Sequence, residues 1–434
     1  MENNAMYERG KIARQAGIQL SATDTQTRNS ALLAIARAMA ENQERIIKAN
    51  QLDYKKSQEE GLAQPLLKRL TFDQKKIQEI IDGIQSLVSL DDPIGTIQMA
   101  KELDNGLDLY RVTCPLGVVG VIFESRPDAF VQISTLCLKS GNAVLLKGGR
   151  EAQETNRVLG EIILSATDTL GIPHGWLQNL ESRQEVTELL DLDQYVDLII
   201  PRGSNDFVKY IMHNSNIPVM GHADGICHVY LDKYADFKKG IDIAVDSKAQ
   251  YVSVCNAEET LLIHRDIAQS ILPELQKRLE SAGVYLKGDA VTRTIIPIDE
   301  AVDTDWSTEY LDYILSIKVV DSMDDAIAHI NTYGSGHTDA IITEDAERAK
   351  KFTTLVDSGC VFVNCSTRFS DGFRFGFGAE VGISTSKLHA RGPVGLEGLL
   401  SYKYKLIGHG QIVSDYASGK AHFTHKKTNK ACPL

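Results

Sequence analysis

The chain has 434 residues, 43% hydrophobic and 24% charged, which is the composition of a water-soluble globular protein too long for one core; two or three lobes are expected. A net charge of −12 argues against nucleic acid as a partner, because a phosphate backbone wants basic surface. No apolar run approaches membrane-spanning length, the first residues carry no apolar leader, and the seven cysteines form no C-x-x-C pair, so neither membrane, disulfide framework nor metal is expected, and the cytoplasm is the expected location.

Residues up to about 95 read as helices. Leu32, Leu33, Ile35, Ala36 and Met39 recur at helical spacing. Thr71 with Gln74 three residues on suggests a capping box that opens a helix over 75–90, and Asp-Asp-Pro-Ile-Gly at 91–95 breaks it. Two alternating runs around Asn105-Gly106 read as a hairpin. From Leu116 strands and helices alternate. Strands are predicted at 118–123, 143–147 and 196–200, with helices at 130–139, 151–164 and 205–213. A second set follows: helices at 242–248, 264–282, 323–331 and 346–356, and strands at 317–320, 340–343 and 360–364. Such alternation implies parallel sheets covered on both faces, an α/β fold. The run 400–408 alternates like an edge strand, and 417–434 is polar, basic and aperiodic, read as a disordered tail.

No G-x-G-x-x-G opens a helix after a strand, so the ordinary dinucleotide fingerprint is absent. Two other corners offer glycine and a helix N-terminus at the carboxyl end of a strand: Lys147-Gly148-Gly149-Arg150, and Pro-Arg-Gly-Ser at 201–204 with Gly203 and Ser204. Backbone N–H groups and the helix dipole favour an anion at either. Cys255, in Val-Ser-Val-Cys-Asn-Ala at 252–257, lies between a β-branched run and an apolar stretch. As thiolate it would attack an activated carbonyl and leave a thioester able to accept hydride; a buried structural thiol is the competing reading.

Cys255, the two corners and the hairpin together form an ordered pattern that resembles the aldehyde dehydrogenase superfamily over nearly the whole chain. It is carried by Glu-Ser-Arg-Pro at 124–127 within 121–130, Leu-Leu-Lys-Gly-Gly at 145–149, the 201–204 corner, Cys255-Asn256-Ala257, Asn364 through Ser-Thr-Arg-Phe to Asp371, the run 376–384, and His-Ala-Arg-Gly-Pro-Val-Gly at 389–395. The resemblance implies a nucleotide-binding domain (1–95 and 114–225), a catalytic domain (226–398) and an oligomerisation arm (96–113 and 399–416), assembled as a homodimer or homotetramer. Within the superfamily the pattern is similar to the branch that reduces L-glutamyl 5-phosphate to the semialdehyde with NADPH in proline biosynthesis, with a glutamate 5-kinase as the possible partner supplying that labile substrate. A coenzyme-A-acylating aldehyde dehydrogenase is the alternative reading.

Three departures sharpen the expectation. The superfamily's water-activating glutamate is missing from 219–225, which suits an enzyme whose thioester must be reduced, not hydrolysed. Arg126 stands where an oxyanion-holding asparagine is usual, and can grip phosphate or oxyanion with paired hydrogen bonds. Arg150 stands where NAD-users often carry an acid, so with Lys147 it favours a 2′-phosphate. The resemblance further implies Cys255 as nucleophile, with Asn256 beside it and its charge eased by an adjacent helix N-terminus and Arg126; Glu309 on the nicotinamide ribose; and Asn364, Ser366, Thr367 and Arg368 at the tunnel mouth, where Arg368 would hold the substrate α-carboxylate.

Overall fold

The structure, a computed structural model, describes residues 5–221, 224–377 and 380–433. His222 and Ala223 of the 219–225 stretch, and Gly378 and Ala379 of the 376–384 run, lie outside the described residues.

Two all-parallel sheets carry the molecule. The first has the order Leu177–Leu180, Ala143–Lys147, Val118–Phe123, Leu198–Arg202. Every residue of Val118–Phe123 and of Ala143–Lys147 is buried, as strands covered on both faces require. Its helical cover includes the N-terminal helices, whose Leu32, Ile35, Met39, Ile77, Ile81 and Ile84 share one core with Phe123, Phe130 and Leu146. Each such side chain contributes roughly 1.5–3 kcal/mol of burial.

The second sheet runs Asp299–Glu300, Tyr285–Gly288, Ile314–Val320, Glu258–His264, Cys227–Leu231, Thr338–Ile342, Cys360–Val363. One face packs Leu231, Leu261, Ile263 and Ile317 on helices Phe237–Ala249 and Arg265–Ser281; the other packs Tyr230, Leu262 and Ile341 on Met323–Tyr333 and Ala346–Leu355. This is the expected α/β fold with two parallel sheets.

An antiparallel sheet stands beside them in the order Leu400–Ile407, Leu107–Pro115, Ile97–Asp104, Lys426–Lys427. The hairpin turns at Asn105-Gly106, with Gly106 at φ +71, a conformation that glycine tolerates best. Among the described residues no helix is long and apolar enough to cross a membrane.

Three local expectations are corrected. The helix before the 91–95 break is Gln74–Ser89, capped by Asp73 accepting from the Lys76 N–H at 2.9 Å, whereas Thr71 Oγ1 donates back to the Leu67 carbonyl of the preceding helix. The predicted strand 196–200 falls at Leu198–Arg202, because the Val196 N–H closes a turn onto the Leu192 carbonyl. The 417–434 segment is not a loose tail. The Thr424 N–H donates to Leu103 O at 2.7 Å, Lys427 pairs with Lys101, Tyr416 stacks on Phe423, and Lys430 bridges Glu102 and Asp108 at 2.7 and 2.9 Å. Its pairing partner is 328 positions away in sequence, so no local period could betray it.

Candidate active site

Cys255 sits in a bend between helix Phe237–Ala249 and strand Glu258–His264, half-buried, while Cys137, Cys227 and Cys360 are buried. The bend is clamped from several sides. Gly225 lies so close that a Cβ there would come within 2.5 Å of Cys255 Cα and Cβ. The Cys227 thiol donates to the Cys255 carbonyl at 3.2 Å. Asn256 Nδ2 donates to Ser370 O at 2.8 Å, and the Asn256 carbonyl accepts from Thr367 Oγ1 at 2.7 Å. Asn256 therefore fixes the bend on which the sulfur rides. No helix starts at Cys255, contrary to the expected helix N-terminus; the positive groups around the bend are side-chain cations.

Those cations come from two directions. Strand Val118–Phe123 pairs in parallel with Leu198–Arg202, Phe123 opposite Arg202, and the Glu124 N–H donates to the Arg202 carbonyl at 3.1 Å. Arg202 thus ends its strand next to the turn that carries Arg126 into helix Pro127–Lys139. Arg126 is half-exposed and donates to Asp128 at 2.9 Å. Burial pushes the Asp128 carboxyl up, but Arg126 outweighs it and holds it below the usual carboxylate range. Burial first, then Arg126, lowers the Arg202 pKa; Glu380, Asp128 and the Cys255 sulfur oppose that shift. Arg368 behaves alike: burial and then Arg374 lower it, while Asp371, Cys255 and Asp246 oppose. Cys255 therefore lies within the electrostatic reach of two arginines.

The 364–368 loop is built differently from expectation. Asn364, at φ +55, spends its side-chain amide on Thr343, accepting from its N–H and donating to its carbonyl, both at 2.9 Å. Ser366 and Thr367 are buried. Ser366 Oγ bonds Ser247 Oγ at 3.2 Å and the Arg368 N–H at 3.2 Å, and Ser247 Oγ accepts from the Thr367 N–H. These bonds shape the loop; a strand-to-turn transition holds its own backbone donors before it can offer any to a ligand. Arg368 is buried, with Nε donating to Gln250 at 3.0 Å.

The two strand-to-helix corners also differ. After strand Ala143–Lys147 the chain makes a short 3-10 turn, Arg150–Ala152, before helix Gln153–Thr167. That helix start is already occupied: buried Asp53 accepts from the Glu154 N–H at 3.2 Å and from the Thr155 N–H and hydroxyl at 2.7 and 2.6 Å. Glu151 curls against Gly149 and accepts from Ser125 N–H and Oγ at 2.6 and 2.7 Å. Gly148 and Gly149 therefore offer no free helix start to an anion, contrary to expectation. Lys147 Nζ folds onto the Gly148 carbonyl, and Arg150 is exposed, paired with Glu60 at 3.0 Å.

At the second corner Gly203 and Ser204 are exposed, and helix Asn205–Asn214 begins with no side-chain cap on its N–H groups. Exposed Glu124 accepts from the Ser204 N–H at 3.2 Å. Glu309 arrives from the other lobe and accepts from Asn205 Nδ2 at 2.8 Å. An uncapped helix start flanked by glycine, with a carboxylate one residue away, fits a dinucleotide's pyrophosphate and ribose.

With this geometry in place, comparison with known proteins gives the family. Residues 4–296 and 303–403 match the aldehyde dehydrogenase family. The chain belongs to the aldehyde dehydrogenase family. Curated relatives include the gamma-glutamyl phosphate reductases of Acetivibrio thermocellus (63% identical, covering 97% of this chain and 98% of the relative) and Pelotomaculum thermopropionicum (60%, covering 98% of each). The crystal structure of gamma-glutamyl phosphate reductase from Thermotoga maritima superimposes with a TM-score of 0.92 at 39% identity, over 94% of this chain and 100% of that one. An acetylating aldehyde dehydrogenase from Geobacillus thermoglucosidasius shares the fold, with a TM-score of 0.63 at 18% identity over 94% and 97%. As a family member the chain is an oxidoreductase that works with a nicotinamide cofactor.

Relative to this family frame, Arg202 is the residue that sequence reading passed over. It was visible only as the second letter of a corner motif. Its signal was there nonetheless: an arginine ending an otherwise apolar parallel strand must emerge at the carboxyl edge, where such sheets bind ligands.

Proposed function

We propose that this chain reduces L-glutamyl 5-phosphate to L-glutamate 5-semialdehyde with release of phosphate, using NADPH, in proline biosynthesis. The observation that carries the reading is a half-buried thiol, clamped at its backbone and placed within the charge of Arg202 and Arg368. Relatives sharing 60% or more of the sequence and bearing that activity's name support it.

Cys255 attacks the acyl carbon as thiolate. The carbon–oxygen bond to phosphate breaks, the electron pair leaves with inorganic phosphate, and a thioester remains. Arg126 and the Cys255 N–H stabilise the charge that develops on the carbonyl oxygen. NADPH, when bound, would supply the hydride. The carbon–sulfur bond then breaks, which frees the semialdehyde and restores the sulfur. Gly203, Ser204 and the helix start behind them would hold the cofactor's pyrophosphate, Glu309 its nicotinamide ribose, and Lys147 and Arg150 its 2′-phosphate. Arg368 binds the substrate's α-carboxylate. Residues 1–95 with 114–225 act as the nucleotide domain and 226–398 as the catalytic domain; the arm, 96–113 with 399–416, joins subunits into a homodimer or homotetramer.

Run in reverse, wild-type enzyme should reduce NADP⁺ with glutamate semialdehyde only when inorganic phosphate is added, and coenzyme A should not replace phosphate. Cys255→Ser should abolish this, a loss of at least about 10⁴-fold, with circular dichroism unchanged. Substantial turnover by that variant eliminates the thioester route.

A further inference from the structure

Two guanidinium groups side by side repel one another, and proteins hold them so chiefly where an anion comes between. Arg202 ends its strand opposite Phe123 of the parallel neighbour, and Arg126 stands just beyond that strand, at the start of helix Pro127–Lys139. Arg126 has committed one nitrogen to Asp128. Arg202 Nη1 is shut away from solvent and, among the described residues, has no hydrogen-bond partner. A buried, unsatisfied charged donor is costly unless a ligand completes it. The same guanidinium lies within electrostatic reach of the Cys255 sulfur. A Cβ on Gly221 would stand 3.5 Å from Pro201, the neighbour of Arg202, and one on Gly225 would come within 2.5 Å of Cys255 Cα and Cβ. The carboxylates nearby are Asp128, whose Oδ2 accepts from Arg126, and Glu380, which accepts from the Gly372 N–H at 2.9 Å.

We infer that Arg202 is the phosphate-binding residue of the active site: with Arg126 it grips the phosphoryl group of the acyl phosphate and then the departing inorganic phosphate, beside the sulfur that displaces it. This rests on the proposed reduction of an acyl phosphate and adds the residue that selects phosphate as leaving group and, in reverse, as acyl acceptor. Arg368 is left for the other end of the substrate. The division of labour has a chemical reason. A bidentate guanidinium on two phosphate oxygens draws charge from the leaving group as the carbon–oxygen bond breaks.

The test compares wild type with Arg202→Lys and Arg202→Gln in the reverse reaction. In Arg202→Gln the KM for inorganic phosphate should rise about tenfold to a hundredfold, while the KM values for semialdehyde and NADP⁺ stay within about threefold. Arg202→Lys should recover part of the loss, because it restores the charge without the fork. A second readout needs neither turnover nor cofactor: inorganic phosphate should slow alkylation of Cys255 by iodoacetamide in wild type, and much less in either variant at the same phosphate concentration. An unchanged phosphate KM, a loss shared equally by all three substrates, or equal phosphate protection in all three proteins overturns the assignment. If wild type shows no phosphate-dependent NADP⁺ reduction, the proposed function fails, and the alkylation result still decides whether Arg202 binds phosphate.

Discussion

At the end of strand Ala143–Lys147 the helix N–H groups turn inward to Asp53; at the end of strand Leu198–Arg202, among the described residues, the one side chain at the corner's N–H groups is exposed Glu124, on Ser204. Both corners have glycine after a parallel strand and a helix behind it. The difference lies in a carboxylate contributed by helix Gln43–Glu59, about a hundred residues upstream in sequence. Asp53 is buried and cannot leave, and burial raises its pKa even as the Thr155 hydroxyl and N–H pull it down. Glu124, at the second corner, is exposed and free to swing away. The lesson is that a glycine corner becomes an anion site only when its donors are unspent, and local sequence does not record that.

The contrast can be broken most forcefully at Gly203. A Cβ there would come within 2.7 Å of Glu124 Oε2 and 3.0 Å of the Phe207 ring. Gly203→Val should weaken NADPH binding by about 100-fold in a fluorescence titration. Undiminished affinity would move the nucleotide elsewhere. Next in size is Asp53→Ala, which strands two N–H groups and a hydroxyl in the interior. Guanidinium unfolding should register a loss of about 2 kcal/mol, with NADPH affinity unchanged. Weakened binding without lost stability would instead put the pyrophosphate at the first corner. Glu309→Ala removes the inter-lobe contact to Asn205, and kcat/KM for NADPH should drop about tenfold. Smallest of all is Arg150→Glu: in an exposed pair the charge is screened, so the NADPH over NADH preference should fall only a few-fold.

Much of this was readable in advance. Continuous apolar runs such as Val118–Phe123 can only be strands buried on both faces, and their alternation with helices fixes parallel sheets. The nucleophile stood out because its neighbours match an ordered set of motifs. What was not readable depends on partners remote in sequence. The short strand Leu177–Leu180, with Gln178 and Asn179 at its centre, looks like a loop until Ala143–Lys147 lies beside it. Asn364 and Ser366 carry the right groups for a ligand, but Thr343 and Ser247 reach them first. Arg202 was hidden for the opposite reason: its importance comes from a bond it does not make.

The C-terminal segment crossing the hairpin gives the arm unequal rims. On the side of Lys426–Lys427 the pairing is two residues long and Lys430 spreads its charge over Glu102 and Asp108. On the other side Leu400–Ile407 runs for eight residues, with Tyr402, Tyr404 and Leu406 exposed. A fibril needs adhesion on both flanks of every unit, and among the described residues this arm has a long sticky flank on one side only. Two copies meeting flank to flank would each use up that surface, and recruitment along the sheet would end there.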